Sequence, residues 1–146
     1  MAMKIQLIGS LRNPKVPLLG NRLRAAGFDV FDDWWGAGER ADDCWQQYEV
    51  TRGRSYVEAL YGEAADNIFY WDREHMDAAE IAVLLLPAGK SSHLELGYMI
   101  GQGKPGYVVF DREPERFDLM YRFANGVFFH EDDLLNMLAG GDICHT

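Results

Sequence analysis

Lys4–Gly9 (KIQLIG) is mostly apolar, has strand length, and stops at the turn-rich residues 10–14 (SLRNP). In residues 17–26 the apolar Leu18, Leu19, Leu23 and Ala26 recur at helical spacing, with Pro17 suited to a first turn and Gly27 to a stop. Asp29–Phe31 is a second short strand, so the chain opens β-loop-α-β, the start of a doubly wound fold. Residues 32–62 lose this regularity. They carry Trp34, Trp35, Trp45, Tyr48, Tyr56 and Tyr61, and read as a loop followed by one or two helices, an aromatic-rich helical insertion. Periodicity returns over residues 63–79, where Ile68, Trp71, His75, Met76 and Ala79 lie near helical spacing. Residues 81–86 (IAVLLL) form the strongest strand, apolar on both faces as a central parallel strand must be. A turn at 87–90, a helix at 92–101, a strand at 106–110, a short helix at 117–123, a strand at 126–130 and a helix at 131–138 complete the pattern. About five strands alternating with helices predict an α/β, flavodoxin-like open sheet, mainly parallel and five-stranded, with helices on both faces and right-handed crossovers. No repeat, linker or low-complexity stretch divides the chain, so residues 1–146 read as one domain.

Composition narrows the function more than the fold. The chain has 146 residues, 48% of them hydrophobic and 25% charged, which is ordinary for a globular domain with a real core. No apolar run approaches the roughly 20 residues that span a membrane. Met1-Ala2-Met3-Lys4 leads directly into the first strand, with no signal-peptide pattern. The two cysteines, Cys44 and Cys144, make neither a disulfide framework nor a zinc pattern and fit a reducing compartment, so a cytoplasmic protein is expected. The formal charge of −9, with acidic clusters at Asp32-Asp33, Asp42-Asp43 and Glu131-Asp132-Asp133 and dispersed basic residues, argues against polymeric nucleic acid and membrane surfaces as partners. One small anion remains compatible with it, because a loop and a helix N-terminus can hold a phosphate locally.

In open α/β sheets ligands bind beyond the carboxyl ends of the strands. The first strand ends in Gly9-Ser10-Leu11-Arg12-Asn13-Pro14. Glycine admits a close ligand, serine offers a hydroxyl, and arginine grips a phosphate or carboxylate with a planar fork. A plain β-to-α turn with an exposed arginine is the commoner origin of such a sequence. The third strand ends in Pro87-Ala88-Gly89-Lys90-Ser91-Ser92-His93-Leu94-Glu95-Leu96-Gly97. Gly89-Lys90-Ser91 resembles part of a P-loop, but the glycine needed five residues earlier is Leu84, which excludes a nucleoside-triphosphatase. Ser92 and Glu95 match a capping box, S-x-x-E, which would tie Glu95 to its own helix start. Alternatively Glu95 points into the ligand crevice, where a carboxylate can attack or stabilise an electron-poor sugar carbon. Spacing alone leaves these two readings level. Asp72 and Asp77 precede the central strand; a second carboxyl group commonly assists cleavage at an anomeric carbon, while Asp77 reads as solvated helix surface. His75 and His93 read as packed or exposed histidines, with no third ligand at metal spacing. The aromatic run 34–61 suits base stacking and core or subunit packing equally.

Three motifs resemble the nucleoside 2-deoxyribosyltransferase superfamily, including its deoxynucleoside 5′-monophosphate N-hydrolase branch. Ile8-Gly9-Ser10-Leu11-Arg12 is similar to that branch's Gly-Ser-Ile-Arg loop. Asp72 with Ala79-Glu80-Ile81 is similar to the family's Asp…Ala-Asp-Ile/Val pattern, with Glu80 in place of the usual aspartate. Leu94-Glu95-Leu96-Gly97-Tyr98, then Gly101 and Gly103-Lys104-Pro105, resembles Glu-Leu-Gly-Tyr-Ala…Gly-Lys-Pro, the most specific of the three. The resemblance covers about residues 4–110 and leaves 32–62 unmatched. It implies a flavodoxin-like fold, Glu95 as nucleophile and Asp72 beside the sugar and leaving base. Gly9, Ser10, Arg12, Ser91, Ser92 and Tyr98 become substrate-binding candidates, with no metal and no cofactor. It further implies a small nucleoside or nucleotide as partner and a homodimer or higher homo-oligomer.

The expected reaction is cleavage or transfer at the N-glycosidic bond of a (2′-deoxy)nucleoside or its 5′-monophosphate, with water or a second base as acceptor. The alternative is a non-catalytic nucleotide-binding module of the same fold. A flavodoxin is disfavoured by Arg12-Asn13-Pro14 in the phosphate loop, and a phosphoacceptor receiver by Leu86-Pro87 where an acceptor aspartate belongs.

Overall fold

The computed structural model describes residues 2–140; Cys144 lies outside them. Five parallel strands make one sheet in the order β2-β1-β3-β4-β5: β1 (Lys4–Gly9), β2 (Asp29–Phe31), β3 (Ile81–Leu85), β4 (Gly106–Val109) and β5 (Gly126–Phe128). This is the flavodoxin-like order, and the chain reverses direction across the sheet between β1 and β3. Register places Gly9 beside Leu85, so the loops after β1 and β3 leave the sheet side by side.

Strand alternation sends residues to two cores. Ile5, Leu7, Ile81, Val83 and Leu85 pack on one face against Leu19 and Leu23 of α1 (Lys15–Ala25) and Leu134 and Leu138 of α6 (Glu131–Ala139). Ile8, Ala82, Leu84 and Val108 pack on the other, against Met76 of α4 (Glu63–Ala78) and Leu96 and Met99 of α5 (Lys90–Gly101). Burial on both faces is why β3 reads as an unbroken apolar run. Gly27, at φ +100°, ends α1 where a Cβ would strain the backbone. Gly9 is needed for a different reason. A Cβ there would sit 2.5 Å from Val16 Cγ2, so glycine lets the first turn of α1 close onto the strand end.

Residues 32–62 fold as a 3₁₀ turn (Asp33–Ala37), α2 (Ala41–Thr51) and α3 (Tyr56–Leu60). Two parts of the motifs noted above are structural. Lys104 Nζ donates to the carbonyls of Met76 (2.7 Å) and Asp77 (2.9 Å), capping the C-terminus of α4. Glu80 Oε2 accepts from the Lys4 amide at 2.9 Å, tying the starts of β3 and β1. The expected short helix at 117–123 is a 3₁₀ turn, Leu119–Phe123, whose N-cap is the Asp118 side chain accepting from Met120 N at 2.8 Å.

Candidate functional site

A cavity of about 480 Å³ opens at the carboxyl edge of the sheet, between the loops after β1 and β3. Gly9, Ser10 and Arg12 line it from the β1 loop. Gly89, Lys90, Ser91, Ser92 and Glu95 line it from the β3 loop and α5, and Asp72 from α4. The sequence-expected residues thus converge, with one exception. Tyr98 is not on the cavity: its hydroxyl donates to Asp77 Oδ1 at 2.6 Å, and Gln102 Nε2 donates to the same oxygen at 2.9 Å. These bonds hold the Asp77 carboxyl below the usual aspartate range and form a seam between α4 and α5.

The start of α5 decides what Glu95 does locally. The helix begins at Lys90, not at the expected residue 92, and its N-cap is Gly89 in extended conformation with no side-chain cap. Ser92 is therefore already inside the first turn, and Glu95 lies in the second, beyond reach of an N-cap amide. The capping box of this molecule is elsewhere, at Ser55 and Glu58 in α3. Freed from a cap, Glu95 turns into the cavity. Burial, with the nearby charge of Asp72 adding to it, pushes its carboxyl up to about 8.

Asp72 is only 7% exposed and its pKa is also raised by burial, opposed by a hydrogen bond from Trp34 Nε1 and by His75. Burial raises both carboxyl groups and the charge on Asp72 raises Glu95 further, so near neutrality Glu95 holds its proton. His75 itself is packed: its ring stacks on Phe31 at 3.8 Å between centroids. His93 Nδ1 faces the Gly89 carbonyl at 2.7 Å, so it carries the proton, and Nε2 accepts from Tyr121 Oη at 2.8 Å. Both histidines are spent on structure.

The cavity lining is of two chemical kinds. Around Ser10, Arg12, Lys90, Ser91 and Ser92 it offers hydroxyls, cations and the uncapped amides at the start of α5, an arrangement that suits an anion. Arg12 meets Asp43 of α2 at 3.9 Å, both side chains well exposed, so this pair is weak and Arg12 remains available to a ligand. Trp34, Trp45, Ile68 and Phe69 add apolar and aromatic surface of the kind that fits a planar ring. Asp32, held by Arg24, and Asp42 also line the cavity. Trp34 and Trp45 were expected only as members of an aromatic run equally suited to base stacking and packing, and Asp32 and Lys90 were not expected at the site. Asp32 follows β2 directly, and its strand-end position was the available signal; Trp34 and Trp45 had none beyond membership of an aromatic run. Among the described residues no group of three or more His, Cys, Asp or Glu is placed to hold a metal ion, and no helix is long and apolar enough to cross a membrane.

No family model matches the chain, and no curated protein matches it by sequence. Solved structures do. A 2-deoxyribosyltransferase from the psychrotolerant bacterium Bacillus psychrosaccharolyticus is similar over 91% of this chain and 90% of its own, at 19% identity and a TM-score of 0.61. The CMP N-glycosidase BcmB of Clostridium botulinum is similar over 92% of this chain and 97% of its own, at 14% identity and a TM-score of 0.56. The chain has the fold of these two proteins, and that is the flavodoxin-like arrangement anticipated from the strand pattern.

Proposed function

We propose that the protein cleaves, or transfers a sugar across, the N-glycosidic bond of a (2′-deoxy)nucleoside or its 5′-monophosphate. The observation that carries this reading is the meeting of Glu95 and Asp72 in one desolvated cavity at the point where the sheet reverses direction. The base lies against Trp34, Trp45 and Phe69, the sugar over the two carboxyl groups, and a 5′-phosphate, when present, against Arg12, Ser10 and the start of α5. Resemblance of the fold to a deoxyribosyltransferase and a CMP N-glycosidase supports the same class.

The single proton of the pair balances the first step. Glu95 gives it to Asp72, and the freed carboxylate oxygen forms a bond to C1′. The electron pair of the C1′–N bond leaves with the base, whose nitrogen takes the proton from Asp72. Charge at C1′ in the oxocarbenium-like transition state is stabilised by the adjacent Glu95 carboxylate. Water then attacks C1′, its proton returns to the pair, and the Glu95 ester bond breaks; a second base in place of water gives transfer. The same reading has the protein working as a homodimer or larger assembly, with exposed Tyr56, Tyr61 and Tyr70 available for a subunit contact.

The test is chromatography for free base after incubation with deoxynucleosides, ribonucleosides and their 5′-monophosphates. Base release is expected from at least one of these, falling by at least about a thousandfold in Glu95→Gln. Thermal stabilisation by a nucleotide with no base released from any substrate would overturn the reading in favour of a binding module.

A further inference from the structure

The helical segment that follows β2 contributes one side chain whose polar atom reaches the acid pair. Trp34 sits in the 3₁₀ turn Asp33–Ala37, and its indole Nε1 donates to Asp72 Oδ1. The ring is itself held: it meets Trp71 edge-on at 5.5 Å, and Trp71 in turn meets Phe31 at 5.4 Å and His75 at 4.9 Å. Four rings on β2, the 3₁₀ turn and α4 thus fix where this N–H points, and Trp34 also forms part of the cavity wall.

We infer that Trp34 is a positioning residue for the acid pair: it engages one oxygen of Asp72 as an acceptor and so directs an incoming proton to the other. This rests on the glycosidic reading above for its catalytic consequence, but not for its chemistry. An indole N–H donates and cannot accept, so Oδ1 is an acceptor whether Asp72 is charged or neutral. A carbonyl oxygen is a better acceptor than a carboxylic hydroxyl oxygen, so this bond favours Oδ2 as the seat of any proton that Asp72 takes up. The bond also favours the charged form, opposing burial, and so keeps Asp72 the more acidic partner and Glu95 the proton's resting place. The other titratable or charged groups around the pair are Lys90 from α5, His75 from α4, Asp32 at the end of β2, Arg12 from the β1 loop and Asp42 from α2.

The decisive experiment needs no substrate. In ¹H–¹⁵N spectra of the intact protein, the Trp34 indole resonance is expected to shift with pH as Asp72 titrates, and to lose that shift in Asp72→Asn. An indole resonance that ignores pH, or that titrates unchanged in Asp72→Asn, overturns the inference. In turnover, Trp34→Phe keeps a ring but removes the donor. It is expected to lower kcat about tenfold with KM within about twofold, and to move the acidic limb of the pH profile upward. An unmoved limb with undiminished kcat also overturns it. If the wild-type protein releases no base, the glycosidic reading falls, while the spectra still decide the role of Trp34.

Discussion

Two cavities open on the same carboxyl edge of the sheet, divided by the connection from β3 to α5. The larger, about 780 Å³, is bounded by Leu86–Ala88, Phe110 and the loop after β4, where Arg112, Glu113, Glu115 and Arg116 are all exposed. The smaller, about 480 Å³, holds Asp72 and Glu95. Volume favours the first and chemistry the second. On the β4 loop these charges are exposed to solvent. Between α4 and α5 burial raises both carboxyl groups, Glu95 to about 8 beside the charge of Asp72. A site is marked by what its walls do to titratable groups, not by how much room it offers.

The contrast can be broken or sharpened by experiment. The largest effect is the loss of at least about a thousandfold in base release when Glu95 becomes glutamine, which leaves the cavity's shape almost intact. Next is the pH profile. The proposed mechanism runs from the form with Glu95 protonated and Asp72 charged, so kcat/KM is expected to fall above about pH 8, as Glu95 loses its proton. It falls again at low pH, once Asp72 is protonated too, at a point above the ordinary aspartate value. In Asp72→Asn the acidic limb disappears, and without the neighbouring charge the Glu95 limb moves down. A profile that keeps climbing past pH 9 would remove the shared proton from the account. Smaller, and selective, is Arg12→Ala. It is expected to raise KM for a 5′-monophosphate about tenfold and to leave the corresponding nucleoside nearly untouched, measured by comparing the two substrates side by side. Smallest is Arg116→Ala on the larger cavity, which is expected to change turnover by less than about twofold for every substrate. A loss there as large as at Arg12 would mean that the β4 side belongs to the site.

The sequence made the frame readable and the walls unreadable, for physical reasons. β1 and β3 are buried on both faces, so β3 is written as a continuous apolar run and β1 as one broken only by Gln6, and the loops at their ends are located with them. Arg12 and Glu95, both on the cavity, were placed near it by such strand ends, while the role expected of Glu95 came from the resemblance of residues 94–98 and not from spacing. The start of α5 misled because Ser92 resembles a cap, whereas Gly89 opens the helix in extended conformation without any side-chain partner. Tyr98 shares a motif with Glu95, but packing against α4 gives its hydroxyl to Asp77. Trp34 reaches Asp72 across 38 residues of chain, through a segment with no period to announce which face it turns inward. Contacts of that kind are set by tertiary packing alone.

The central claim is that a Glu95 oxygen bonds to the anomeric carbon. Its most direct test is rapid acid quenching during turnover, followed by mass spectrometry of the peptide carrying Glu95. A 2′-fluorinated substrate is suitable, because an electron-withdrawing substituent slows both the loss and the return of positive charge at C1′. The account predicts a sugar or sugar-phosphate adduct on Glu95, formed as base is released and absent from Glu95→Gln. Base appearing while that peptide stays unmodified in every quench, with Glu95→Gln as fast as the wild type, would contradict it.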